Sequence, residues 1–452
     1  MSDKIVSKGK PLPVSDVQPV VIPLEPMVLQ PEDEPAIITT ADSTLQKKPQ
    51  QDISGRVSLS SYSNFSNTPG GNSQRMRYTF SINAKNIANS KLSGESYISF
   101  VHKDGEWSEI QDNIFNGLKI YNLALKYEFS DNYRIWVGRK INPRISNMGA
   151  IDGIQFEMKF KSFTAGILAG SRPDYEDYSV NFNLFQYGAY LSHDLATKTG
   201  NMQSSLAFAE QKNNGKTDRR FIYLQHSNSL VKKLNFFGTV EFDLYKYDTV
   251  SEKLQNTFHL TNIYLSLRYR VIKQLSFTLS YSSRQNVFYY ETYKTILDQV
   301  LDYETIQGYM FQVNYSPIRF LSVGVKTGYR FRKSDPEPSK NLYAYVTYSR
   351  IPVLNISATA SATLLETSYI SGKIYSLGIS RDLIAGKLYA GIGYRYVDYA
   401  YFNTDMSIPQ NMAELNLNWH IYKKLSLSLN YEGTFEKENQ FNRLYVNVTQ
   451  RF

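Results

Sequence analysis

At 452 residues, with 42% hydrophobic content and a mean hydropathy of -0.39, the chain has room for several ordinary domains or one large barrel. No run approaches the roughly 18 apolar residues of a membrane-crossing helix. The lack of cysteine in this sequence excludes disulfides, thiolate metal sites, cysteine nucleophiles and a lipid-modified N-terminal cysteine. The formal charge of +9 accompanies 36 Tyr and 25 Phe, an aromatic share of 14% that is high for a soluble enzyme.

Residues 1–52 hold eight of the sixteen prolines and no Phe, Tyr or Trp. Pro11, Pro13, Pro19, Pro23, Pro26, Pro31, Pro35 and Pro49 are incompatible with a helix or a central strand. The segment predicts a disordered, extended, polyproline-like periplasmic tail, or a segment that docks onto a protein partner or enters a barrel mouth. It carries eight Asp or Glu and five Lys, a charge of -3, so the remainder carries +9 minus -3, or +12. The first residues, Met1 to Lys8, are polar and lack the apolar core of a secretion signal. On a membrane reading the expectation is that a signal has been removed or is not included in this sequence.

From residue 53 onward the chain alternates almost continuously. Tyr121, Leu123, Leu125, Tyr127 and Phe129 share one parity, followed by a Ser-Asp-Asn turn and by Tyr133, Ile135 and Val137. Ile154, Phe156, Met158 and Phe160 repeat the pattern. So do Ile263, Leu265, Leu267 and Tyr269, then Leu275, Phe277, Leu279 and Tyr281. Leu415, Leu417, Trp419 and Ile421 pass through Tyr422-Lys-Lys424 into Leu425, Leu427, Leu429 and Tyr431. A period of two with one apolar and one polar face is a strand that meets two different environments. Short links fall near 131, 161, 195–200, 230–234, 272–274, 316–319, 350–352, 383–386 and 422–424. Longer ones, many acidic, fall near 66–75, 103–117, 142–150, 171–182, 211–218, 248–257, 288–306, 333–340 and 399–411. Alternating turns and loops describe an all-β, antiparallel, up-and-down transmembrane barrel of about 22 strands, in the range of roughly 18–22, over residues 53–452. A soluble β-sandwich or propeller is the competing fold; it predicts strands buried on both sheets and repeat motifs such as a blade signature, and the sequence has none.

The last stretch supports closure. Leu444, Val446, Val448 and Phe452 lie on one face, with Gln450 the exception, and Arg443, Tyr445, Asn447, Thr449 and Arg451 lie on the other. A strand that ends on an aromatic residue is an exposed edge unless it pairs with the first strand. This ending resembles the closing strand of bacterial outer-membrane β-barrels, porin-like and of the Bacteroidetes type. The resemblance implies that Phe452, Val448 and Val446 are the signal read by the barrel-assembly machinery. It also implies an outer-membrane location with both termini periplasmic, in contact with the lipid bilayer and lipopolysaccharide. Gly138-Arg-Lys-Ile-Asn-Pro143 with Met148-Gly-Ala-Ile-Asp-Gly153 is similar to a strand-and-loop pattern of porin-like barrels, the phosphate-selective kind included.

Phosphate loops, zinc spacings, Ca²⁺ loops and a serine elbow are absent from the sequence. His102, His193, His226, His259 and His420 are scattered, and Asp298, Asp302 and Glu304 read as a solvated acidic loop in preference to a divalent-cation site near lipopolysaccharide. The expectation is a protein without enzymatic activity, metal, cofactor or nucleic-acid partner. The polar parity carries the functional reading. It places the bases Arg75, Arg77, Lys126, Arg134, Lys159, Arg268, Arg270, Arg284, Lys326, Arg330, Arg395 and Arg443 inward. The inward acids are Glu128, Glu157, Glu241, Asp243, Glu414 and Glu432. A surplus of bases in a low-dielectric tube focuses anions toward it, whereas paired bases only brace the wall. Two functions fit: a channel for passive diffusion of small polar or anionic solutes, and an accessory barrel held in an outer-membrane assembly through its tail and loops. In loop 288–306, Ile296, Leu297, Val300 and Leu301 fall on one face of a short helix. Such a helix needs a surface to pack on, and the expectation is that the loop folds over or into the barrel mouth and narrows it, the alternative being a mobile external loop.

Overall fold

The computed structural model describes residues 50–69, 71–248, 253–285, 305–402 and 406–452. The expected tail and the expected helical lid lie outside these residues. Pro49–Phe452 forms one unit, built almost wholly of strands.

The first strands are β1 (Asp52–Ser66), β2 (Ser73–Lys85), β3 (Leu92–Lys103), β4 (Leu118–Ser130), β5 (Tyr133–Ile141), β6 (Ala150–Phe160) and β7 (Phe163–Ser171). There follow β8 (Leu184–Ala196), β9 (Asn201–Asn213), β10 (Lys216–Asn228), β11 (Leu234–Asp248), β12 (Lys253–Ile272), β13 (Leu275–Arg284), β14 (Ile306–Tyr315) and β15 (Leu321–Phe331). The wall is completed by β16 (Ser339–Ile351), β17 (Ile356–Glu366), β18 (Ile370–Ile384), β19 (Leu388–Tyr401), β20 (Met406–Tyr422), β21 (Leu425–Phe435) and β22 (Gln440–Arg451). Successive strands pair antiparallel, and β22 pairs with β1 from Arg56↔Arg451 to Ser66↔Phe441, which closes a barrel of 22 strands. One short helix, α1 (Trp107–Asp112), lies in the link from β3 to β4.

The alternation has the expected consequence. In β4 the apolar set Tyr121, Leu123, Leu125, Tyr127 and Phe129 is 36–53% exposed. Such rows recur around the wall as a continuous apolar band, which water does not tolerate and lipid does. Aromatic residues mark its turn-side edge, among them Phe129, Tyr133, Phe160, Phe163 and Tyr315. The opposite face is the concave one, where side chains from strands two apart meet. Tyr190 Oη donates to Glu157 Oε2 at 2.5 Å, Tyr345 Oη donates to Asn314 Oδ1 at 3.2 Å, and Arg395 Nη1 lies 4.0 Å from Glu432.

The seam uses the last residue. The Phe452 amide donates to the Gly55 carbonyl at 3.0 Å, and the Gly55 amide donates to the Phe452 carbonyl at 3.2 Å. The Phe452 ring occupies the space a Cβ on Gly55 would need, with ring carbons 2.4 and 2.7 Å from that position. Glycine is required there because a backbone and an aromatic ring approach each other closely.

Three expected long links are shorter than composition suggests. β9 and β10 meet at a two-residue turn, Asn214-Gly215, with φ of 48° and 80°, the left-handed pair that matches strand twist. β12 begins at Lys253, and β19 and β20 run to Tyr401 and from Met406. Beyond the lipid a hairpin keeps its backbone pairing without an apolar face, so polar sequence there reads as loop. Conversely, links at 86–91, 367–369 and 436–439 are too short for composition to mark.

Candidate functional site in the barrel interior

Two described links reach the interior: residues 172–183, through Arg172 and Tyr175 against Gln211, and the link between β5 and β6, residues 142–149. Asn142 starts it: its Oδ1 accepts from the Arg144 amide at 2.9 Å, and its Nδ2 donates to Gln155 Oε1 at 3.1 Å. The Ile145 amide then donates to the Asn142 carbonyl, and a 3₁₀ turn, Ser146–Met148, brings the chain back to β6. This geometry turns Ile145 and Met148 onto the concave wall. Ile145 is 0% exposed and Met148 3%, packed with Ile151, Leu168, Tyr190, Ala207, Ala209, Phe221 and Tyr223. Met148 Sδ lies 3.3 Å from the position of a Cβ on Gly188, so the bare backbone of β8 lets the loop lie close to the wall.

Polar anchors flank this apolar contact. The Arg144 guanidinium donates to Ser192 Oγ, lies 2.9 Å from Asp194 Oδ2 and reaches Glu157 at 3.7 Å. Glu157 is shared with Arg134 and with the Tyr190 hydroxyl. Asn147 donates through Nδ2 to Glu241, which pairs with the buried Arg219. Arg219 also donates to Asp243 Oδ1 at 2.9 Å and lies 4.2 Å from the Phe221 ring centroid. Charges this buried are stable only in company, because removing one partner leaves another desolvated and unpaired.

All nine lumen candidates, Arg77, Lys126, Arg134, Lys159, Arg268, Arg270, Lys326, Arg330 and Arg395, share the parity of the concave face. They divide into two groups. Lys126 pairs with Glu128 at 2.7 Å, Arg134 with Glu157, and Arg395 with Glu414 at 2.5 Å. Arg443 pairs likewise with Glu432 at 3.3 Å. Arg77, Lys159, Arg268, Arg270, Lys326 and Arg330 form no ion pair among the described residues. Arg75 and Arg77 instead lie near the Tyr62 ring, at 4.6 and 5.9 Å, and Tyr62 packs on Tyr445 with centroids 4.6 Å apart. Arg268, Arg270, Lys326 and Arg330 are all exposed, on β12 and β15, beyond β11, the last strand that loop 142–149 contacts.

Sequence reasoning pointed to neither Arg144 and Asn147 nor Arg219 as interior residues. The available signal was Ile145 and Met148, two large apolar residues in an otherwise polar link directly after Asn142-Pro143. At the loop end, Arg139 and Asp152 form a further pair at 2.5 Å, and Arg139 also donates to the Tyr178 carbonyl at 2.6 Å. In the link between β7 and β8, Asp177 accepts from Asn113 Nδ2 at 3.0 Å and from the Ser179 amide at 2.8 Å. Burial opposes its ionisation, but these hydrogen bonds and nearby Lys119 prevail and hold its carboxyl below the ordinary range.

No protein-family model matches this chain, and no curated protein sequence matches it. Solved structures do. A mutant ferric enterobactin receptor from Pseudomonas aeruginosa, in complex with enterobactin, aligns with a TM-score of 0.56 at 10% identity. The alignment covers 90% of this chain and 82% of that one. The same receptor in complex with BCV-L6 aligns with a TM-score of 0.53 at 10% identity, over 90% and 82%. OccK3 of Pseudomonas aeruginosa aligns with a TM-score of 0.43 at 9% identity, over 89% and 96%. At these identities the likeness is one of fold, and the chain has the fold of the outer-membrane β-barrels.

Proposed function

We propose that this protein is a passive channel of the bacterial outer membrane for small anionic or polar solutes, with both chain ends on the periplasmic side. The observation that supports this reading is the contrast between two sides of the interior. On β6 to β10 the concave face is largely buried under loop 142–149 and its ion pairs. On β12 and β15 the concave face carries Arg268, Arg270, Lys326 and Arg330, exposed and without ion pairs among the described residues. An exposed side chain on the inner face of a closed barrel borders open volume. Four cations around that volume raise the local concentration of anions and lower that of cations. Loop 142–149 lies against one wall, so it narrows the interior without covering the basic side. Lipopolysaccharide on the loop side, and the assembly machinery that recognises the Phe452 strand, are the partners this reading implies.

The test is reconstitution in planar bilayers under a KCl gradient. The reversal potential is expected to show a preference for chloride. Combining Arg268→Gln, Arg270→Gln, Lys326→Gln and Arg330→Gln is expected to remove that preference. A barrel that inserts without conducting, or whose selectivity ignores the four substitutions, overturns the proposal.

A further inference from the structure

The outer wall carries a groove of about 380 Å³ between β7 and β12. Its floor follows one register row across six strands: Phe163↔His193, His193↔Ser204, Ser204↔His226, His226↔Gly238 and Gly238↔Leu265. The next row toward the loops, on the same face, contains Leu191, Leu206, Leu224 and Val240, which form the groove's apolar flank. Ser204 and Gly238 are small where their neighbours are large, and this produces the depression.

The row climbs away from the turn side. Phe163 is the first residue of β7, and His193 lies three residues from the end of β8 at Ala196. His226 lies two residues from Asn228, Gly238 four from Leu234, and Leu265 seven from Ile272. At about 3.3 Å per residue the groove therefore deepens by roughly 20 Å along the strands. Polar groups occupy only its lower part. Ser204 Oγ and His226 Nδ1 are 2.7 Å apart, and the His193 ring stacks on Phe163 with centroids 4.6 Å apart. Below it, the turns at 161–162, 197–200, 229–233 and 273–274 carry Lys161, Lys198, Lys232, Lys233 and Lys273 and no acidic residue.

We propose that this groove binds one anionic phospholipid of the turn-side leaflet. An acyl chain lies along the apolar flank toward Leu265, and the phosphate sits at the mouth near His193, His226 and the lysine rim. The surface faces the apolar phase of the bilayer, so its occupant there is a hydrocarbon chain. The acid-free cationic rim selects a negative headgroup over a zwitterionic one. The groove lies on the outer wall, so its occupancy is independent of what passes through the interior.

The experiment uses the full-length barrel, purified in mild detergent and exchanged against palmitoyl-oleoyl phosphatidylglycerol or phosphatidylcholine. Native mass spectrometry counts the lipid retained, and heat-modifiable migration verifies the fold. The wild type is expected to keep one phosphatidylglycerol in preference to phosphatidylcholine. Ser204→Leu, which fills the groove, is expected to reduce retention about tenfold. Combining Lys161→Gln, Lys198→Gln and Lys232→Gln leaves the groove intact and is expected to remove the preference between headgroups. Equal retention of both lipids by the wild type overturns the proposal, as does retention that neither set of changes affects.

Discussion

The packing of loop 142–149 against the interior wall allows a quantitative test through Ile145. Its side chain is 0% exposed and lies in a cluster with Met148, Ile151, Leu168, Tyr190, Phe221 and Tyr223. Ile145→Ala removes three carbons from a site that β-sheet walls hold open, so collapse around the cavity is limited. The cost is about 2–5 kcal/mol, and Met148→Ala falls in the same range. The two changes share one cluster and are not expected to add. The loop has no regular structure beyond its single 3₁₀ turn, so this loss falls on its docked state. A loss of about 3 kcal/mol multiplies the undocked population by roughly 150. Arg144 and Asn147 keep their partners at Asp194 and Glu241, so the loop stays tethered while its apolar contact is lost. Single-channel recording in planar bilayers reads the outcome as larger and noisier conductance. Urea unfolding in detergent micelles reads the same loss as a lower midpoint. Wild-type conductance together with a wild-type midpoint in the double variant would refute the docking of this loop against the wall.

Two further predictions address the wall. Leu267, 39% exposed on the outer face, replaced by Arg should cost about 2–4 kcal/mol of barrel stability if it lies near the midplane, whereas Arg268→Ala should cost far less and shift ion preference. Equal costs in folding titrations would mean that the assigned register is wrong by one residue. Deleting Phe452, or introducing Gly55→Val against its ring and the Ser81 carbonyl 2.7 Å from the new Cβ, should reduce heat-modifiable barrel in outer-membrane fractions. Normal assembly of both variants would show that the seam does not depend on this contact.

The barrel, and the alternation of its strands between two faces, were legible in the sequence alone. Leu265, Leu267 and Tyr269 against Arg268 and Arg270 form a period of two, which follows from the geometry of an extended backbone and needs no partner to be read. The closing role of the last strand was legible for the same reason, since Leu444, Val446, Val448 and Phe452 continue the outward face to the final residue. The lengths of the polar hairpins were not legible, because beyond the lipid a strand such as Asn201–Asn213 keeps its hydrogen bonds without an apolar face to announce it. Only the tertiary structure decided which bases are paired. Arg144 meets Asp194 across 50 positions, and Asn147 meets Glu241 across 94, because closure curves separate strands toward one interior. The groove from Phe163 to Leu265 likewise exists only once six strands are set in register. A strand's own period is a local property of its backbone, whereas contacts inside a barrel and across its wall depend on how far the sheet shears and bends before it closes.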